Sequence, residues 1–274
     1  MRARRAYRAL KKVSAFAFFW GGGMAVSWLL LPLITAAPGD PERHRRRVRR
    51  MVQVAFVAFH DYMRTLRLVD YDPRKTRLEV PDGPYVMIAN HPTLVDVTAI
   101  MAVRPELACV VKQEHFEGGM VGRLLRLCGH INGGDGSPFA SAAVVLQALD
   151  RLAAGQPVLI FPEGTRSPVR DLGTFHRGAF EAARRAGVPV VPVLVTCNPP
   201  TLMKGEPWHQ HPDEPAVLDV QPFDDLRPSD LEGTSAEVAA GVEARYRERI
   251  ETFWAAARAP LVPGEGDAAS EQER

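Results

Sequence analysis

Cysteine is scarce and irregularly spaced in this chain. Three cysteines occur among 274 residues, Cys109, Cys128 and Cys197, and no two of them form a CxxC pair. An odd number of widely separated cysteines argues against a disulfide framework and against a cysteine zinc site. The simplest interpretation is a protein of a reducing compartment, with cysteines that act as small buried side chains.

Metal and nucleotide motifs are also missing. The eight histidines show no HExxH or comparable zinc spacing. Walker and dinucleotide-binding glycine motifs are absent where a strand-to-helix turn would require them. We therefore expect neither a bound metal nor a cofactor.

Charge is missing from residues 13–39, whereas both flanks are rich in arginine and lysine. Residues 1–50 have a formal charge of about +10, and the rest of the chain about −8. The 27-residue uncharged run is long enough to cross a bilayer. Because a dense arginine cluster follows it, the run is not typical of a cleaved secretory signal. We expect a retained membrane anchor.

The orientation of this anchor stays open. Basic residues on both sides do not distinguish the two ends, which indicates that both remain cytoplasmic. Gly21, Gly22, Gly23 and Pro32 would weaken a straight helix, so a re-entrant or interfacial hairpin fits as well as one span. Residues 45–68 have helical apolar spacing and an arginine-rich start suited to anionic headgroups. Nucleic acid is the competing partner for these arginines, but the adjacent uncharged run favours lipid.

Beyond residue 70, short apolar runs alternate with helical periodicity. The predicted strands are Tyr85–Ala89, Leu107–Val111, Pro157–Phe161, Val190–Val195 and Ala216–Val220, and the predicted helices are 92–103, 119–128, 138–154, 176–187 and one within 229–258. This alternation predicts an α/β fold, a largely parallel sheet flanked by helices, with an N-terminal membrane-associated helical segment. We divide the chain into an anchoring segment, 1–70, a main domain, 71–259, and a disordered tail, 260–274.

The first chemical motif runs from Asn90 to Asp96, where a predicted strand ends. Five residues are about 500° of helix, so His91 and Asp96 meet only if His91 precedes the helix. Pro92 as first helical residue favours this arrangement. In such a pair the carboxylate fixes the imidazole tautomer while the other ring nitrogen takes a proton from a hydroxyl. The alternative, a strand-end histidine near a surface aspartate, is favoured if this spacing is taken alone.

The second motif, Phe161 to Ser167, follows the apolar run Val158–Ile160. A turn at Gly164 beside the forked guanidinium of Arg166 suits an anionic oxygen such as a phosphate. Taken alone, such an arginine is more often part of a surface ion pair. Glu163 would either accept a hydrogen bond from an acceptor or orient Arg166.

In this order and separation, the two segments resemble the first and third motifs of the glycerolipid acyltransferase superfamily, the HX4D acyltransferases, in its lysophosphatidate acyltransferase branch. Weaker similarity at Lys112 and Glu114, at 175–178 and at 191–193 extends the resemblance over about residues 85–200. It implies that 71–259 is a catalytic domain with His91 as general base and Asp96 as its orienting partner. The implied substrate-binding residues are Glu163, Gly164, Thr165, Arg166, Lys112 and Arg177.

The resemblance also implies a reaction: acyl transfer from acyl-CoA or acyl carrier protein to the hydroxyl of a lysophospholipid, at the cytoplasmic face of a bacterial inner membrane. Two alternatives stay open, the same chemistry on a non-glycerophosphate lipid such as an aryl-polyene, and a non-catalytic lipid-binding or carrier-binding module. The family's second motif usually carries an arginine after Gly-x-Ile, but here residues 133–137 are glycines, Asp135 and Ser137. We expect Arg166, Arg177 or Lys112 to compensate, with weak selection for a phosphate monoester.

Overall fold

The computed structural model describes residues 2–135, 137–207, 212 and 214–258. The predicted disordered tail, 260–274, lies outside the described residues.

The uncharged run forms one continuous helix. Helix α1 (Arg2–Ala25) passes through a π-helical stretch (Val26–Leu30) into α2 (Leu31–Ala36). The wider turn lies just before Pro32, which has no amide to bond to the preceding turn. The chain reverses only at residues 37–40, and α3 (Pro41–Thr65) runs back, with the Asp40 side chain accepting from the Arg43 amide at 2.8 Å. Gly21–Gly23 therefore do not break the helix.

Aromatic contacts join α1 to α3, and the other end of this hairpin packs on the rest of the protein. The rings of Phe18 and Tyr62 stack with centroids 4.6 Å apart, and those of Phe19 and Phe59 are 5.3 Å apart. At the other end, Leu31 packs with Val48 and Cys128, so α3 also contacts the later helix Gly119–Cys128. Burial of Leu31, Val48 and Phe59 stabilises the packing of the hairpin on the rest of the protein.

One face of the N-terminal helix remains exposed. The helical stretch Ala9–Ala36 is long and apolar enough to cross a membrane. Only 17% of its most apolar part is buried in the protein. The exposed large side chains include Trp20, Met24, Trp28, Leu29 and Leu33. An exposed apolar surface of this kind is typical of membrane association.

Seven strands form the sheet within the described residues. They are β1 (Val69–Asp70), β2 (Val86–Ala89), β3 (Ala108–Val111), β4 (Ile131–Asn132), β5 (Val158–Ile160), β6 (Val190–Asn198) and β7 (Ala216–Pro222), in the order β1-β7-β6-β2-β5-β3-β4. Every described neighbouring pair is parallel except β6 and β7. The predicted largely parallel α/β fold is confirmed; the two-residue strands β1 and β4 were not predicted.

Helices cover both faces of the sheet. They are α4 (Asp96–Val103), α5 (Gln113–Glu117), α6 (Gly119–Cys128), α7 (Pro138–Ala153), α8 (Gly178–Ala186) and α9 (Ser235–Arg258), with a 3₁₀ turn at Pro228–Asp230. Met87 and Ala89 of β2 belong to the core beneath α3 and α4, whereas Val86 and Ile88 belong to the core beneath α7, α8 and α9. Burial on both faces explains why the strands are continuous apolar runs.

Candidate active site

The two motifs meet at the carboxyl edge of the sheet. Strands β2 and β5 are parallel neighbours, with Ile88 opposite Ile160. The chain leaving β2 carries His91, and the chain leaving β5 carries residues 161–167. Loops that leave neighbouring parallel strands lie side by side, and such an edge is where open α/β folds place ligands.

The pair of His91 and Asp96 forms as expected, but the local structure differs from the prediction. Nδ1 of His91 lies 2.8 Å from Oδ2 of Asp96. His91 precedes the helix, whereas Pro92 is not its first residue: α4 begins at Asp96, and residues 93–95 form a bend and turn. The cause is the Asp96 carboxylate, which accepts from the Thr93 amide at 2.7 Å and from the Thr93 hydroxyl. These bonds close the turn before the helix starts.

The main chain and ring of His91 are both fixed. Its amide donates to Oε1 of Glu163 at 3.0 Å and to Oγ of Ser167 at 3.1 Å, and its carbonyl accepts from the Ser167 amide at 2.8 Å. Its ring stacks on Phe161, with centroids 4.4 Å apart. The strand-end turn after β5 therefore positions the histidine.

Glu163 differs from the expectation that it binds an acceptor or orients Arg166. Its side chain is buried, and its carboxylate accepts from the His91 amide, from the Ser167 hydroxyl at 2.6 Å and from the Gly173 amide at 2.6 Å. A carboxylate satisfied by three internal donors has little capacity left for a substrate. Its geometry fits a positioning group behind His91.

The arrangement leaves one imidazole nitrogen available. Because Nδ1 faces the buried Asp96 carboxylate, its proton is held there, and Nε2 is the unprotonated nitrogen. The His91 side chain is 19% exposed, whereas Asp96 is fully buried. Such a pair can accept a proton from a bound hydroxyl and stabilise the resulting imidazolium.

The turn after β5 continues with Gly164, Thr165 and Arg166, which differ in exposure. Gly164 has φ +65°, a left-handed conformation that favours glycine, and Thr165 is exposed while Arg166 is half-buried. Arg166 donates through Nη1 to the Leu202 carbonyl at 3.4 Å. The Thr165 hydroxyl accepts from Nζ of Lys204 at 3.1 Å. The loop after β6 thus joins the site, which the sequence did not indicate.

Lys112 and Arg177 lie farther from the pair. Lys112 precedes α5 at the end of β3, two strands from β2, and Arg177 is the N-terminal cap of α8. Both side chains are exposed. Within the described residues, no hydrogen bond or ion pair links either side chain to His91 or to residues 163–167. Their roles in substrate binding stay predictions.

His130 is not part of this site. Its side chain is buried, and its Nδ1 accepts from the Cys109 amide at 3.0 Å. Burial, with help from Arg49 and Arg151, lowers the pKa of His130 to about 4. A neutral histidine held by a strand amide is a structural group, so it is no second base. Among the described residues, no cluster of three or more His, Cys, Asp or Glu could hold a metal ion.

Two polar side chains for which the sequence predicted no role join the chain at the end of β2 to β6. Asn90 exchanges two hydrogen bonds of 2.8 Å with the main chain of Val195. The buried hydroxyl of Tyr246, from α9, accepts from the Val193 amide at 3.0 Å and lies 3.0 Å from the Ile88 carbonyl. These bonds fix the strand end that carries His91. Asn90 stands next to His91 in sequence, but no local signal marks Tyr246.

Comparison with known proteins finds similarity to acyltransferases. A family model described as Acyltransferase matches residues 69–196. A 1-acyl-sn-glycerol-3-phosphate acyltransferase of Chlamydomonas reinhardtii is 30% identical over 144 residues, which are 53% of this chain but only 43% of the algal protein. The 1-acyl-sn-glycerol-3-phosphate acyltransferase alpha of Mus musculus is 27% identical over 242 residues, 86% of this chain and 83% of the mouse protein.

The fold also matches a solved structure. The crystal structure of the 1-acyl-sn-glycerophosphate acyltransferase PlsC from Thermotoga maritima aligns with a TM-score of 0.68 and 20% identity, over 90% of this chain and 98% of that one. At this identity the likeness supports the fold alone. The family match over residues 69–196, the relatives and the HX4D spacing of His91 and Asp96 together support placing this chain in the glycerolipid acyltransferase superfamily, with lysophosphatidate acyltransferase-like relatives.

Proposed function

We propose that this protein transfers a fatty acyl group from a thioester to the free hydroxyl of 1-acylglycerol-3-phosphate, in phospholipid synthesis. The observation that carries the proposal is the contact between His91 Nδ1 and Asp96 Oδ2, which leaves Nε2 free beside a turn that bears Arg166. The relatives named for this reaction support it.

The proposed reaction needs one base and no enzyme nucleophile. Nε2 of His91 takes the proton of the acceptor hydroxyl as its oxygen attacks the thioester carbonyl carbon. The tetrahedral intermediate then collapses, the carbon–sulfur bond breaks, and the imidazolium returns the proton to the leaving thiolate. Asp96 stabilises the imidazolium in both steps. Because a thioester is already activated, orientation and the base supply most of the required acceleration.

Arg166 is the proposed contact for the acceptor's phosphate. It is half-buried, lies in the turn that positions His91 and, among the described residues, donates only to a neutral carbonyl. Thr165 and Gly164 would shape the same turn, with Lys112 and Arg177 as more distant cations. Glu163 positions the main chain of His91 and does not contact the acceptor.

The donor is either acyl-CoA or acyl carrier protein, and the proposed location is the cytoplasmic face of a bacterial inner membrane. The exposed apolar face of Ala9–Ala36 and the arginines at the start of α3 support attachment to an anionic lipid surface. Nucleic acid is not a proposed partner.

An acceptor without a glycerophosphate group is the second candidate. The observation behind it is the absence of a basic residue at 133–137. A non-catalytic binding module is less consistent, because a carboxylate-oriented histidine has no evident use without turnover.

In the decisive experiment, detergent-solubilised protein is incubated with labelled acyl-CoA or labelled acyl carrier protein. The acceptors are lysophosphatidate, other lysolipids and monoacylglycerol. We expect phosphatidate from lysophosphatidate, and loss of at least about 10²-fold in His91→Ala. His115→Ala, at an exposed histidine of α5, is the matched control. Transfer only to acceptors without glycerophosphate would favour the second candidate, and no transfer with any pair would favour the binding module.

A further inference from the structure

Lys204 places a second cation beside Arg166. It stands in the loop that follows β6, and its Nζ lies 3.1 Å from the Thr165 hydroxyl. Arg166 itself contacts Leu202 of the same loop at 3.4 Å. Two adjacent residues of the turn after β5 thus contact two residues of this loop, and each contact involves a cation.

Neither cation is neutralised within the described part of the chain. The contacts of Arg166 and Lys204 are to a carbonyl and a hydroxyl, and neither side chain forms an ion pair among the described residues. The nearby carboxylates have other partners. Glu163 is bonded to internal donors, and Glu206 is paired with Lys12 at 2.8 Å and with the Met203 amide at 3.1 Å.

The loop that carries Lys204 is held at both sides of the lysine. The Leu202 carbonyl accepts from the Leu94 amide at 3.1 Å as well as from Arg166. Leu202 adopts φ +57°, a strained conformation for a leucine that persists only where the surroundings fix it. Two residues after Lys204, Glu206 is tied to α1 through Lys12. The main chain of Lys204 therefore has a defined place next to the His91 turn.

Unpaired cations are costly unless solvent or a ligand satisfies them, and a phosphate monoester is a dianion that two cations match. Residues 133–137 supply no basic residue for this purpose. We propose that Lys204 binds the phosphate of the acceptor together with Arg166 and sets the preference for a phosphate monoester over a neutral head group. This inference rests on the proposed function, and it replaces the expectation of weak selection.

The test measures binding rather than turnover. In the His91→Ala background, which cannot consume its substrate, the affinity for lysophosphatidate and for monoacylglycerol in mixed micelles is measured with and without Lys204→Gln. We expect Lys204→Gln to weaken lysophosphatidate binding about tenfold and to leave monoacylglycerol binding within about twofold, since it removes one charge-assisted contact. Lys204→Arg should retain most of the affinity.

Lys75→Gln is the matched control, because Lys75 is also exposed and lies on the loop between β1 and β2. It should change neither affinity. Equal lysophosphatidate affinity in Lys204→Gln and Lys75→Gln would overturn the proposal, as would equal weakening of both lipids with unchanged melting temperature. If Lys204-dependent binding is intact while the protein with His91 transfers no acyl group, the proposed function fails and the assignment of Lys204 stands.

Discussion

Nζ of Lys12 lies 2.8 Å from Oε1 of Glu206, across 194 positions of sequence. Both side chains are largely buried, 3% and 13% exposed. The pair joins the N-terminal helix to the loop whose Leu202 and Lys204 contact the turn after β5. This ion pair therefore connects the N-terminal helix to the loop beside the candidate acceptor site.

Breaking this pair should destabilise the protein. A buried charge left without its partner typically costs about 3–5 kcal/mol, whereas replacing both partners by apolar groups is often neutral. We expect Lys12→Met and Glu206→Met each to lower the melting temperature in detergent, and the double variant to regain much of the loss. A double-mutant cycle measures the coupling. Additive losses in the double variant would show that the two side chains act independently.

Asp96→Asn should nearly abolish activity while preserving the fold. Oδ2 of Asp96 accepts from two donors, His91 Nδ1 and the Thr93 amide. An asparagine amide nitrogen at that position is itself a donor and could not accept either hydrogen bond. The imidazole would then favour the wrong tautomer. We expect kcat to fall by roughly 10²–10⁴ with little change in KM. Asp150→Asn, at an exposed position of α7, is the control, and near-normal kcat in Asp96→Asn would contradict the proposed pair.

Glu163→Gln separates positioning from substrate binding. In the structure, Glu163 accepts from the His91 amide and the Gly173 amide, and a glutamine would present a donor to one of them. A displaced His91 lowers kcat, so we expect a fall of about tenfold or more with KM for the acceptor unchanged. Arg166→Ala should show the opposite pattern, a raised KM. If Glu163→Gln instead changes only KM, the glutamate contacts the acceptor as the sequence resemblance implied.

The sequence predicted which residues meet at this edge of the sheet better than it predicted the contacts that support them. Strands β2, β3 and β5 are apolar runs, and the proximity of His91 and Asp96 was predicted on the condition that His91 precedes the helix, which the structure shows. The start of α4 was misplaced because the Asp96 carboxylate bonds to Thr93, an interaction that outweighs the preference of proline for the first helical turn.

The contact between Lys204 and Thr165 could not be predicted from the sequence, for a different reason. It depends on β6 lying next to β2, and β2 next to β5. Hydrophobic periodicity identifies strands but not their order in the sheet. The same limit applies to Tyr246, whose hydroxyl reaches Ile88 across 158 positions.

The exposed face of the N-terminal helix should be the lipid-contacting surface. Leu29 and Leu33 are 65% and 68% exposed on it. Replacing both by lysine should move the protein from the membrane pellet towards the soluble fraction, because lysine costs about 2.5–3.5 kcal/mol at the centre of a bilayer. The control is Leu146→Lys on α7, where a leucine is 58% exposed outside the anchor. Unchanged pelleting of the double variant in high salt would place the lipid contact elsewhere.

Two buried histidines should make the fold less stable in mild acid. Burial lowers the pKa of both His60 and His130 to about 4, below the ordinary 6.5. Between these values the unfolded chain binds more protons than the folded one, so stability is complete above about pH 6.5 and falls as the pH drops towards 4. At pH 5 each histidine would lower the free energy of unfolding by about 2 kcal/mol.

The variant His130→Gln tests this effect. It retains an acceptor for the Cys109 amide, so its melting temperature should fall less than that of wild type between pH 7 and pH 5. His115→Gln, at an exposed position, should follow wild type, and equal slopes in all three proteins would show that neither the burial of His130 nor its pKa governs this loss.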